Sequence, residues 1–140
     1  MMSDLEGPVV LPDFGVKQYS PLTLAYIGDA VFELVIRTML VREANTAVNK
    51  LHRRASGMVN AGAQSKMIGI LEPYFTEEEA SVYHRGRNAK AYTHAKNAGI
   101  QDYRRATGFE AVCGYLYLKK DWKRLLELIR IGLEGPEHEA

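Results

Sequence analysis

From residue 22 to 42 the chain reads LTLAYIGDAVFELVIRTMLVR, apolar on almost every side of a helical projection. Its few polar residues, Asp29, Glu33 and Arg37, recur every four positions and form one stripe. This pattern predicts a helix buried over most of its circumference. Ser20 as N-cap and Pro21 at the first helical position mark its start, and the apolar run carries it to about residue 43. Asn45 or Thr46 can cap a second helical stretch that reaches about Leu71, with a break predicted near Ser56-Gly57. Thr76 with Glu79 three residues later fits a capping box and opens a helix to about Asn88. Residues 89–100 lack an apolar period and contain Gly99, which predicts a loop. A helix from Ile100 or Gln101 to Lys119 follows, and Asp121 can cap a last one to about Gly132. With no alternating segment and no internal repeat, the fold class is all-α, centred on helices 22–43 and 101–119. Residues 1–19, with Gly7, Pro8, Pro12 and Gly15, read as an irregular arm. Residues 20–132 form the domain and 133–140 a polar tail.

Composition adds exclusions more than direction. A chain of 140 residues, 46% hydrophobic and 25% charged, suits one soluble domain with a core. The single cysteine, Cys113, cannot form an internal disulfide and fits a reducing compartment. With no identifiable base nearby it reads as a small apolar residue rather than a nucleophile. His52, His84, His94 and His138 have no metal-ligand spacing, which disfavours a histidine–metal hydrolase. Tyr103, Tyr115 and Tyr117 read as packing residues, and Trp122 as the anchor of the last helix. Gly28, Gly108 and Gly114 each cost a helix roughly 1 kcal/mol, which close helix–helix approach or access to a pocket around the acids would justify. The beginning of the chain has no basic region followed by an apolar run, and no uncharged stretch approaches the ~18 residues of a bilayer span. The expectation is a cytoplasmic protein with no membrane partner.

The candidate chemistry lies in the acids. Glu33 stands four residues before Arg37, the favourable order for an ion pair, whereas Asp29 has no partner on its own helix. Glu110 is the only acid between Asp102 and Asp121, and its neighbours one turn away, Ala106, Thr107, Cys113 and Gly114, are small, which predicts a depression with room for a hydrated ion beside it. A carboxylate buried without compensation costs several kcal/mol, so two of them on two buried helices call for an explanation. Backbone donors or a nearby arginine are one. A shared divalent cation is the other: oxygen ligands suit Mg²⁺ or Mn²⁺, and Thr107 could hold a metal-bound water.

The segment Tyr26-Ile27-Gly28-Asp29-Ala30-Val31-Phe32-Glu33 resembles the signature of the ribonuclease III family, whose core is an aromatic, an aliphatic, then Gly-Asp-Ala. Thr107-Gly108-Phe109-Glu110-Ala111 resembles its other acidic motif, Asp-x-Phe-Glu-Ala. The larger enzymes have a glutamate where this chain has Ala25 and an aspartate where it has Thr107, so two of their carboxylates, those at Asp29 and Glu110, are matched. That reduced set, with the basic segment HRGRNAK, is similar to the Mini-III branch. The resemblance implies a ribonuclease III endonuclease-like helical fold and a metal-dependent endoribonuclease that cleaves double-stranded RNA. Asp29 and Glu110 would be catalytic and hold Mg²⁺ (or Mn²⁺), with Glu33 and Thr107 as supporting residues. It further implies a homodimer, maturation of 23S ribosomal RNA precursor ends, and a ribosomal protein or pre-ribosomal particle as a further partner. The competing reading is a ribonuclease III-like module that binds structured RNA without cutting it.

The larger enzymes also append a double-stranded-RNA-binding domain, and the 20 residues after Lys120 are too few for one, so the catalytic domain is expected to grip its own substrate. Although net charge is only +1, the basic residues are segregated. Arg85, Arg87, Lys90, Lys96, Arg104 and Arg105 face a single acid, Asp102, between residues 82 and 105. Lys50, Arg53, Arg54 and Lys66 meet none between 50 and 71, although solvation of a helix face explains Lys50 and Lys66 equally well. Asn88, Tyr92, His94 and Asn97 add hydrogen-bonding groups to the first segment. Duplex RNA is recognised largely by its backbone, 2′-hydroxyls and shape, which suits Arg85, Arg87, Asn88, Lys90, Lys96, Arg104 and Arg105 as the RNA-binding set.

Overall fold

A computed structural model describes residues 15–89 and 99–136. Among these residues six α-helices follow one another: α1 (Pro21–Glu43), α2 (Val48–Val59), α3 (Ala61–Leu71), α4 (Glu77–Asn88), α5 (Gly99–Leu118) and α6 (Trp122–Glu134), with short 3-10 turns at Val16–Gln18 and Glu72–Tyr74. No strand occurs among the described residues, so the all-α expectation holds. No helix among them is long and apolar enough to cross a membrane.

The predicted caps form. The Ser20 hydroxyl accepts from the Thr23 amide at 3.2 Å, and Asp121 accepts from the Arg124 amide at 3.1 Å. At the start of α4 the Thr76 hydroxyl accepts from the Glu79 amide (3.1 Å) while the Glu79 carboxylate accepts from the Thr76 amide (2.9 Å).

Two boundaries differ from the sequence expectation. The break between α2 and α3 falls at Asn60, not at Ser56-Gly57. Asn60 ends one helix through its Nδ2, which donates to the Ser56 carbonyl (3.1 Å), and caps the next through Oδ1, which accepts from the Ala63 amide (2.8 Å). Gly57 merely lowers propensity within α2, whereas Asn60 offers the backbone a bonded alternative. The second helix starts after Ala47, which makes no side-chain cap, rather than after Asn45 or Thr46. The predicted loop falls mostly outside the described residues, and its last two members, Gly99 and Ile100, are already helical.

Helices α1 and α5 are the central pair. Phe32 meets Phe109 edge-on at 5.0 Å, and Leu24, Ile36, Val112 and Leu116 fill the seam. Their backbones touch because glycine stands at both crossing points. A methyl at Gly28 would overlap the Glu110 carbonyl oxygen, and one at Gly114 would overlap that of Leu24. Helices α3 and α4 pack on the other flanks of α5, and α6 closes the core with Leu125, Leu128 and Ile129. Arg124 ties the start of α4 to α6, reaching both carboxylate oxygens of buried Glu79 at 2.8 Å and the Tyr74 carbonyl at 2.7 Å. Tyr115 is buried and Tyr117 stacks edge-on to Trp122 at 5.6 Å, which makes them packing residues as expected.

Candidate active site

The residue after Gly28 is Asp29, and the residue whose carbonyl Gly28 touches is Glu110. The helix crossing therefore brings the two acids together, and the Asp29 carboxylate lies within hydrogen-bonding and electrostatic reach of Glu110. Burial, reinforced by the Asp29 charge and hydrogen bond, pushes the Glu110 carboxyl up to about 8, against the opposing pull of the Gln64 amide. At neutral pH, without a cation, the pair therefore holds a proton.

Its setting differs from the closed apolar interior that the sequence suggested. Glu110 is half-buried, but Asp29 is exposed. The reason lies in α1, which buries Leu24, Ala25, Gly28, Val31, Phe32, Val35 and Ile36 on one side and leaves Tyr26, Asp29, Leu34 and Arg37 on the other. Several apolar residues that suggested full burial, among them Leu22, Tyr26, Leu34 and Val41, are exposed. The acid pair thus occupies the rim of the α1–α5 seam. The small neighbours of Glu110 are themselves buried: Ala106, Thr107, Cys113 and Gly114 serve helix packing rather than lining an open hollow.

Glu33 forms an ion pair with Arg37 and is not clustered with the two acids; no group of three or more metal-ligating side chains occurs among the described residues. The Thr107 hydroxyl donates to the Tyr103 carbonyl at 2.9 Å, so it can only accept from a water. The Cys113 thiol is fully buried, and burial together with the nearby Glu110 raises its pKa well above the ordinary range, in keeping with an inert side chain. Sequence reasoning passed over Gln64. It is buried on α3, and its Nε2 donates to Glu110 Oε2 at 3.5 Å. The available signal was a polar residue on the stripe of Met67, Ile68 and Leu71.

The basic set is split. Arg85, Asn88 and Arg104 are exposed. Arg87 is half-buried, with its guanidinium over the Tyr83 ring at 5.9 Å and its Nε donating to the Asn88 side-chain oxygen Oδ1 at 3.4 Å. Arg105 is half-buried, with its guanidinium beside Gly69 and close enough to the Tyr83 hydroxyl to interact with it electrostatically. Lys90 and Lys96, with Tyr92, His94 and Asn97, lie outside the described residues. In the other basic segment Arg54 is already paired with Glu43 at 2.9 Å.

Comparison with known proteins gives a consistent answer. The ribonuclease III domain matches residues 22–121. A Mini-ribonuclease 3 of Clostridium tetani is 53% identical over 117 residues, covering 83% of this chain and 78% of that one. A Mini-ribonuclease 3 of a Thermoanaerobacter species is 42% identical over 134 residues, covering 96% and 94% of the two chains. The crystal structure of a Fusobacterium nucleatum protein, 29% identical, superposes with a TM-score of 0.75 over 86% of this chain and 96% of that one. The chain belongs to the ribonuclease III family, within its Mini-ribonuclease 3 group.

Proposed function

We propose that Asp29 and Glu110 are the catalytic, metal-holding pair through which this chain, by its family a metal-dependent endoribonuclease of double-stranded RNA, cuts its substrate. The observation that carries the proposal is the convergence of two carboxylates, about 80 residues apart in sequence, on one glycine-enforced helix crossing. The donor set fits a small hard cation. It consists of oxygens only, two like charges oppose each other, and Asp29 is exposed to the solvent from which Mg²⁺ keeps several waters. Mg²⁺, or Mn²⁺ in its place, would supply a water activated for in-line attack and would neutralise charge on the phosphodiester. Asp29, exposed on α1, presents its carboxylate to the approaching backbone. Glu110 must give up its proton before it can join Asp29 as a ligand. Products would carry 5′-phosphate and 3′-hydroxyl ends.

Arg85, Arg87, Asn88, Arg104 and Arg105, together with Lys90 and Lys96, are the proposed phosphate-gripping set, with Arg85 and Arg104 the most accessible of those described. Glu33 and Thr107 would act at one remove, by orienting Arg37 and by accepting from a site water. A homodimer is part of the proposal. Tyr26 is 83% exposed, and Leu22, Leu34 and Val41 are further exposed apolar residues on the face of α1 that also carries Asp29 and the Glu33–Arg37 ion pair. A second copy on that face would give two sites for two strands. The substrate class is a ribosomal RNA precursor, with 23S ends as the natural target, presented in the cytoplasm alone or with a ribosomal protein.

The test incubates the protein with long duplex RNA in Mg²⁺ or EDTA, beside Asp29→Asn and Glu110→Gln. Wild type with Mg²⁺ should yield short duplex fragments, whereas either variant should bind the RNA and leave it whole. Cleavage by both variants at the wild-type rate would remove the site assignment.

A further inference from the structure

We propose that Gln64 is a positioning residue for cleavage: its side-chain amide holds the Glu110 carboxylate in the orientation in which it and Asp29 take a divalent cation. The inference rests on the reading of Glu110 as a metal ligand and extends it to a third helix.

Gln64 is 1% exposed, the least exposed of the buried polar side chains among the described residues, which are Gln64, Ser65, Glu79 and Thr107. An amide so placed costs folding free energy unless its donors are satisfied. Its Nε2 donates to Glu110 Oε2 at 3.5 Å, across 46 positions of sequence. Such bonds at metal-free sites are commonly long and shorten when the site is loaded.

The choice of an amide is informative. A lysine or arginine at position 64 would neutralise Glu110 and compete with the cation. Glutamine donates an N–H without adding positive charge, so it restrains the carboxylate and leaves its charge for the metal. A glutamate on a helix face otherwise has three free torsions to lose on ligation. Thr107, one turn away, cannot supply the restraint, because its hydroxyl proton is committed to the Tyr103 carbonyl. Outer partners of this kind typically change metal affinity 10–100-fold when removed.

The experiment uses Mn²⁺ as probe and measures its binding to RNA-free protein by electron paramagnetic resonance. Gln64→Met keeps the volume and removes the donor. Ser65→Ala disturbs the same buried turn. Glu110→Gln tests the underlying assignment. Gln64→Met is expected to bind Mn²⁺ ~10–100-fold more weakly, to need correspondingly more Mg²⁺ for half-maximal cleavage, and to bind duplex RNA in EDTA as wild type does. Ser65→Ala should leave Mn²⁺ binding unchanged. If Gln64→Met does not fold, Gln64→Asn, which withdraws the amide by one methylene, should show the same weakening. Mn²⁺ affinity within threefold of wild type in whichever of these two variants folds would overturn the role of Gln64, as would equal weakening by Ser65→Ala. Undiminished Mn²⁺ binding by Glu110→Gln would instead overturn the metal-ligand reading, so the two failures are separable.

Discussion

Replacing Glu110 by glutamine should make the metal-free protein more stable at alkaline pH while abolishing cleavage. The Glu110 carboxyl is raised from an ordinary 4.5 to about 8, first by burial and then by Asp29. Between those values the folded protein holds a proton that the unfolded chain has lost, so folding stability falls as pH rises, by ~1.4 kcal/mol per pH unit. The stability contributed by the protonated form is fully present below the unfolded value and lost as pH climbs through the folded one. Between pH 5 and pH 9 the wild type should therefore lose ~4 kcal/mol relative to Glu110→Gln, which does not titrate there. For a domain of this size that corresponds to a gap in Tm of about 14 °C. Thermal melts in EDTA, at one protein concentration and across that pH range, measure it directly. Asp29→Asn should recover only part of the gap, because burial, the larger cause, remains. Added Mg²⁺ should raise the wild-type Tm at pH 9 and leave that of Glu110→Gln in place. A difference between wild type and Glu110→Gln that stays constant from pH 5 to 9 would refute the reasoning.

Three further outcomes are expected. Gly28→Ala places a methyl on the Glu110 carbonyl and forces α1 from α5, so it should cost ~3 kcal/mol or more in denaturant unfolding and reduce cleavage with it. An unfolding midpoint equal to wild type would show that the crossing is not close-packed. Glu79→Gln removes the buried carboxylate that Arg124 grips at the α4–α6 junction, leaving it Glu127 and the Tyr74 carbonyl, and should destabilise by about 2 kcal/mol in the same measurement, with no change in metal dependence. RNA binding without metal should weaken steeply with salt, and Arg85→Ala and Arg104→Ala should each flatten the logarithmic salt slope by ~1. Unchanged slopes in a filter-binding titration would remove both residues from the interface.

Much of the helical order was legible because its signals are local. Ser20-Pro21, the Thr76/Glu79 box and Asp121 each bond within their own first turn, and each helix begins where they stand. Asn60 was missed since an asparagine ends or caps a helix only when its side chain finds backbone partners, and Gly57 looked the stronger breaker. The acids were legible as exceptions within apolar helices, and Gly28 and Gly114 as costs needing a reason. Their environment was not. An apolar residue reads the same whether it meets the core or lies exposed, so Tyr26 and Leu34 made α1 look buried all round and Asp29 with it. Gln64 was invisible because its significance comes from α5, which only the tertiary arrangement brings to it. Arg105 illustrates the converse: a phosphate contact by charge alone, it is half-buried beside Gly69 and the Tyr83 hydroxyl.

The most direct test of the central claim is the location of the cation itself. Crystals grown in Mn²⁺ at a concentration that supports cleavage should give an anomalous difference peak between the carboxylates of Asp29 and Glu110, within ligand distance of both. A protein fully active in that Mn²⁺, whose crystals show the metal elsewhere and nothing between those two side chains, would contradict the account.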